Sequence, residues 1–262
     1  MLTIMIIFTG RLKELVHSAD LMVRFSRRSK ATVLKHLAEP STVKDVIESL
    51  GIPHCELGPV EVFYSPGHWP GEPGGRRPLD ALVRAGDVLM VQDPSPRHLP
   101  DPRFLCDSHL GKLALLLRIM GFDTLWQPDW TEPEIVRRGL NEQRTVLSRS
   151  RSLLKRRVMD DAMLIWPDQP DRQAAAVLRR FQLGPRVRMF GRCSRCNGLL
   201  QEVAKEAVAN RIPPKTAKWL DTYYTCAECD HLFWEGTHVT ALQARVAAIL
   251  AASGPQPDAD EA

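Results

Sequence analysis

The sequence predicts a multidomain chain, α+β at its start and α/β in its middle, closed by a cysteine-tied ribbon. Three observations carry that expectation. Residues 1 to 92 run strand, helix, strand, strand, the order of a small α+β roll. Residues 103 to 182 alternate strand-like and helix-like patches, which argues for a parallel sheet covered by helices. Beyond them, RCSRCNG and TCAECDH supply two CxxC pairs, the spacing of metal knuckles.

The elements follow in order. MLTIMIIF reads as a strand; no positive charge precedes it and no small-residue cleavage pattern follows, so a signal peptide is not expected. In STVKDVIESLG, Val43, Val46, Ile47 and Leu50 recur at helical spacing, Ser41 or Thr42 can cap the start, and Gly51 can end the helix. PVEVFY and GDVLMVQ are strand-like. Between them Gly74 and Gly75 sit inside PGEPGGRRP, where a flexible loop is the better reading than the terminal diglycine of a protein modifier. Four prolines in DPSPRHLPDP then forbid regular structure and make a semi-rigid connector. The tail AASGPQPDADEA is acidic, small and proline-bearing, the composition of disorder. The expected domains are 1–93, a linker 94–102, 103–184, 185–245, and a disordered tail 246–262.

Composition bounds the function. With 262 residues, 44% hydrophobic and 25% charged, the chain can bury a core. A net charge of +4 permits nucleic-acid binding without arguing for it, so clustering decides. No run reaches the roughly 18 apolar residues of a bilayer span, and no small-molecule cofactor motif stands out. Four of six cysteines fall in CxxC pairs, which in a reducing compartment means metal rather than disulfides, so a cytoplasmic protein is expected. Cys193, Cys196, Cys226 and Cys229 would complete a closed tetrahedral Zn²⁺ site of structural type; a redox role needs only one pair. The 29 residues between Cys196 and Cys226 read as a helical insert ended near Pro213. Phe233 and Trp234 could stack on bases or pack against a knuckle. Cys55 and Cys106 read as buried apolar residues.

Asp107 falls where the strand RFLC meets a helix, at the rim where α/β folds place ligands. It, or Ser108, can equally be a helix cap. In TEPE, residues 131 to 134, Glu134 completes a capping box with Thr131. Asp168 ends the run DAMLIWPD and reads as a site acid or as a turn residue beside Pro167 and Pro170. RTVLSRSRSLLKRR is a dense cationic run without an acid; Arg149, Arg151, Lys155 and Arg156 in it are either a solvated face or phosphate contacts.

TVKDVIESLGIPHCELGPVEV resembles the ubiquitin-like domain that precedes Mut7-C domains, which implies a β-grasp fold and a surface for a protein partner. DSHLGKLALLLRIMGFD resembles the opening of the Mut7-C ribonuclease domain, a PIN-like nuclease module, and CAECDHLFWEGTH resembles its zinc ribbon. The resemblance implies a metal-dependent ribonuclease, in which Asp107 and Glu132 hold Mg²⁺ or Mn²⁺; Asp168 is the acid best placed to join Asp107, and Lys112, Arg118, Arg149, Arg151, Lys155 and Arg156 would hold RNA. Hard divalent ions take oxygen ligands, lower the pKa of bound water and neutralise phosphate charge, so one acid does not suffice. This sequence departs from the family at one place: Thr-Arg-Asp is replaced by Ser148, Arg149 and Ser150, and the carboxylate is missing. A non-catalytic RNA-binding adaptor is therefore the alternative.

Overall fold

The computed structural model describes residues 2–16, 24–25, 31–64 and 75–254. Gly74 and the residues after 254 lie outside them. The chain forms two compact units. The first comprises Met1–Ser95 together with Ser150–Leu164, and the second comprises Pro96–Arg149 with Ile165 onward to Gln256.

The first unit is a mixed sheet with one packed helix. Its elements are β1 (Leu2–Phe8), α1 (Leu12–Leu15), β2 (Arg24–Phe25), β3 (Ala31–Leu37), α2 (Val43–Ser49), β4 (Val60–Tyr64) and β5 (Val88–Val91). Strand order is β2-β3-β1-β5-β4, with β1 antiparallel to β3 and parallel to β5. This is the β-grasp arrangement. Period-two alternation buries Ile4, Ile6 and Phe8 of β1, and helical spacing buries Val43, Val46 and Ile47 of α2. Thr42 and Asp45 make the capping box that starts α2, and Gly51, at φ +93°, follows its end.

In the second unit, β6 (Arg103–Cys106) leads through a single turn into α3 (Gly111–Ile119), β7 (Asp123–Leu125), α4 (Glu132–Asn141) and β8 (Thr145–Ser148). β6 lies between β7 and β8 and is parallel to both. α3 buries Leu113, Ala114, Leu116 and Leu117. It ends where Gly121, at φ +91°, approaches the Arg188 carbonyl so closely that an added Cβ would stand 2.4 Å from that oxygen. The chain next gives α5 (Arg151–Leu154) and β9 (Ala162–Leu164) to the first unit. There the buried Glu56 carboxylate accepts the Leu164 N–H at 2.6 Å and pairs with Arg11 at 2.5 Å.

α6 (Pro170–Arg180) returns to the second unit, starting on a proline whose missing N–H is no loss at that position. Phe104 packs between Phe122 and Phe181, at centroid distances of 6.4 and 5.6 Å. The Pro-rich connector is fixed here: Arg97 N–H donates to the Arg180 carbonyl, and its guanidinium lies 5.1 Å over the Phe181 ring.

The ribbon consists of β10 (Leu200–Val203), α7 (Pro214–Ala217), β11 (Tyr223–Cys226) and β12 (Leu232–Trp234), an antiparallel sheet in the order β10-β11-β12. The segment between the cysteine pairs is thus not a plain helical insert. It opens as β10, because Leu200–Val203 find ladder partners in β11, and only then turns through a 3-10 stretch, Lys205–Arg211, into α7. Part of the expected disordered tail from 246 is instead helical: α8 (Thr237–Ser253) takes in its first residues, and those after 254 lie outside the described ones. Val246 and Ile249 are buried, and Arg245 forms a bidentate pair with Asp171 at 2.6 and 2.9 Å. Short alanine-rich sequence reads as tail by composition, but alanine is the best helix former once one face finds a partner.

Candidate RNA-facing centre and metal centre

The parallel register creates the first centre. Cys106 of β6 stands opposite Leu147 of β8, so the next residues, Asp107 and Ser148, emerge together past the carboxyl ends of the strands. Asp107 N–H donates to the Leu147 carbonyl at 3.0 Å. The Asp107 side chain is 4% exposed and receives three donors. Ser148 Oγ–H donates to Oδ2 at 2.6 Å, Arg149 N–H to the same oxygen at 2.7 Å, and His109 N–H to Oδ1 at 3.0 Å. The last bond caps the turn Ser108–Leu110, so the cap reading and the site position coincide. His109 is 79% exposed, with Nδ1 3.9 Å from Asp107 Oδ1. Trp126 closes the other side: its indole N–H donates to the Ser108 carbonyl, and a Cβ on Gly111 would meet its ring at 2.6 Å.

The other acids are placed differently. Asp168 is 87% exposed and pairs with Arg149 at 2.6 Å. Glu134 completes the capping box with Thr131, as its spacing predicts, and Glu132 opens α4, half-buried. Among the described residues, the only group of three or more histidines, cysteines and acids close enough to share a metal is the four cysteines. Asp107, Glu132 and Asp168 are not gathered in that way. Ser150, where the resemblance leads one to expect an acid, caps α5 by accepting the Leu153 N–H at 3.2 Å. A hard divalent ion at this rim would find the Asp107 carboxylate already engaged by protein donors and Asp168 drawn to Arg149.

The expected RNA-contacting cations divide. Lys112, Arg149 and Arg156 are exposed, and Lys155 is half-buried. Arg118 and Arg151 are corrections. Arg118 is 6% exposed and donates to the carbonyls of Thr124 at 2.8 Å, Ser194 at 3.4 Å and Arg195 at 2.9 Å. Burial lowers its pKa, opposed by the thiols of Cys106, Cys196 and Cys193 and by Asp123. Arg151 donates to the carbonyls of Leu15 at 2.8 Å and Gly51 at 2.6 Å. Helical spacing cannot show this, because a long side chain at the edge of an apolar face turns inward wherever loop carbonyls need donors.

The second centre gathers Cys193, Cys196, Cys226 and Cys229, whose sulfurs all lie within 4.8 Å of one another. The separations Cys193–Cys229 and Cys196–Cys226 are 3.7 and 3.3 Å. Sulfurs about 2.3 Å from a tetrahedral Zn²⁺ would stand about 3.8 Å apart, so the set fits. The two knuckles are built alike. Asn197 N–H donates to the Cys193 carbonyl and Asp230 N–H to the Cys226 carbonyl, both at 3.0 Å. Asn197 and Asp230 take φ +74° and +53°, left-handed geometry that short Asn and Asp side chains tolerate. Four crowded thiols resist ionising together. Burial and then the neighbouring sulfurs push Cys196 up to about 12, while Cys226 falls to about 7 because backbone N–H groups and thiols donating to it outweigh its burial. A cation relieves that conflict.

A clamp joins the first knuckle to the sheet, and its residues were not singled out from sequence. Asn197 Oδ1 accepts the Thr124 N–H at 2.9 Å while its amide donates to Asp123 at 2.8 Å. Asp123 also pairs with Arg144 at 2.7 Å and Arg192 at 3.4 Å. Burial opposes ionisation of Asp123, yet its bonds from Arg144 and Asn197 win and hold the carboxyl below its ordinary value. The only sequence signal was an Asn directly after a CxxC pair.

Comparison with known families agrees with these two regions. Residues 102–246 match the model of the Mut7-C RNAse domain, and residues 1–95 match that of the Mut7-C ubiquitin domain. No curated protein and no solved structure matches the chain.

Proposed function

The chain belongs to the Mut7-C RNAse domain family, and from that premise we propose that it holds RNA at the Asp107 rim without cutting it by metal-assisted hydrolysis. The observation that carries this reading is the state of Asp107: one buried carboxylate, already accepting three protein donors, and outside any group of three or more metal-ligating side chains among the described residues. Lys112 and Arg149 supply exposed positive charge in the same unit, and Ser108 and His109 supply hydroxyl and imidazole groups at the rim. The four thiolates hold Zn²⁺ as a structural ion, leaving no open position for substrate. No helix among the described residues is long and apolar enough to cross a membrane.

Binding of a single-stranded RNA to the zinc-loaded chain, followed against salt, tests the proposal. Lys112→Ala with Arg149→Ala is expected to weaken binding about tenfold and to flatten the salt dependence by roughly one unit of slope per lost phosphate contact. The Arg149 N–H to Asp107 is a backbone bond and survives that change. RNA affinity indifferent to both cations contradicts the proposal. So does manganese-dependent cleavage that disappears in Asp107→Asn, which would restore the nuclease reading.

A further inference from the structure

The ribbon sheet has two faces of opposite character. Its inner face buries Tyr223 against Val208, Ile212 and Leu232, with Trp234 packed on the same cluster. Trp234 is therefore core, not a base contact. On the outer face, Tyr224 of β11 and Phe233 of β12 stand as a cross-strand pair. The Phe190 ring stacks on Tyr224 at 5.0 Å and 14°, and the His231 ring meets Phe233 edge-on at 4.8 Å. All four rings are half-buried, so solvent reaches the row, whereas Phe104, Phe181 and Tyr223 in the cores are 0% exposed. Two exposed arginines lie near the row, one in space and one in sequence. Arg195 lies 3.0 Å from His231 Nδ1, and Arg188 precedes Phe190 by two residues. Two acids flank the middle: Glu202 stands opposite Tyr224 on β10, and Glu235 bonds to the Tyr224 hydroxyl.

Resting on the RNA-binding reading, we propose that this outer face is a stacking platform for single-stranded RNA. Aromatic rings in a row accept successive bases, and the nearby arginines take the phosphates. Glu202 and Glu235 repel phosphate and so keep the backbone toward the arginines. Their carboxylates can accept from exocyclic amino groups, which cytosine carries and uracil lacks. A duplex hides its base faces and gains nothing here.

The test is anisotropy titration of the zinc-loaded full chain with an oligocytidylate of about ten nucleotides, within the usual span of such grooves. Tyr224→Leu and Phe233→Leu keep apolar bulk but lose the ring. Each is expected to lower affinity about tenfold with zinc content unchanged, and oligouridylate is expected to bind the unaltered chain more weakly than oligocytidylate. Leucine variants that bind as well as the unaltered chain overturn the platform, and if Lys112→Ala and Arg149→Ala weaken the same binding, the parent reading stands without it. An unaltered chain that binds no single strand overturns both.

Discussion

The cysteine centre and the carboxylate centre lie in one unit and differ in how their ligands are supplied. Each CxxC knuckle carries two sulfurs on one turn, so local backbone geometry fixes half of the metal shell before any tertiary contact forms. Two such turns, brought together by β10 and β11, complete it. The carboxylate centre has no local unit. Asp107 arrives at the end of β6, Glu132 at the start of α4, and Asp168 ahead of α6, so their convergence depends wholly on tertiary placement. The first centre brings its four ligands together, whereas Asp107 in the second is engaged by hydrogen-bond donors.

Metal removal breaks the comparison with the largest effect. Structural zinc contributes on the order of 10 to 16 kcal/mol of apparent binding free energy in small modules, as much as a typical domain's whole stability. A strong chelator, or Cys226→Ser, is expected to abolish the ribbon's cooperative melting transition, seen by calorimetry beside metal analysis. An unchanged melting curve after zinc is lost would mean the sulfurs do not hold the fold.

Next in size is Arg118, which ties the first knuckle to the sheet beside the clamp. Arg118→Leu leaves the buried carbonyl of Thr124 without its donor, costing about 1 to 3 kcal/mol, and also removes the bonds to the part-buried carbonyls of Ser194 and Arg195. Denaturant unfolding should register that loss, while the RNA affinity of the folded fraction stays at its original value. A variant of full stability and weakened RNA binding would return Arg118 to the RNA-contacting set.

Acid exposes the same clamp. The folded pKa of Asp123 lies below its unfolded value near 3.8, so its contribution is full above that value and is lost as pH falls through the folded pKa. Asp123→Asn is expected to lower stability at neutral pH and to flatten its decline below about pH 4. Parallel pH profiles for the two proteins would remove Asp123 from the account.

What the sequence revealed follows from the same contrast. The strand β1, the capped start of α2, the α4 capping box, the alternation of β6, α3, β7, α4 and β8, and the cysteine pairs all depend on near neighbours, and all were legible. The inward turn of Arg118 and Arg151, the double bond of Asn197 to Asp123 and Thr124, and the course of α8 were not. Each depends on which carbonyl or helix face lies nearby in space, and spacing along the chain carries no record of that. Ser150 is instructive in the other direction. Its standing where the resemblance leads one to expect an acid was visible, and its hydroxyl is spent on capping α5.

The smallest effect concerns the ion pair between Arg149 and Asp168. Exposed pairs contribute about 0 to 1 kcal/mol, so Asp168→Asn should free the guanidinium and raise RNA affinity by no more than about fivefold in low salt. A fall in affinity would make Asp168 part of the binding surface instead.

The most direct test is a manganese titration of the zinc-loaded chain followed by electron paramagnetic resonance. A carboxylate engaged by Ser148, Arg149 and His109 predicts no saturable manganese site that Asp107→Asn removes. A bound ion that is present in the unaltered chain and lost in Asp107→Asn would contradict the account.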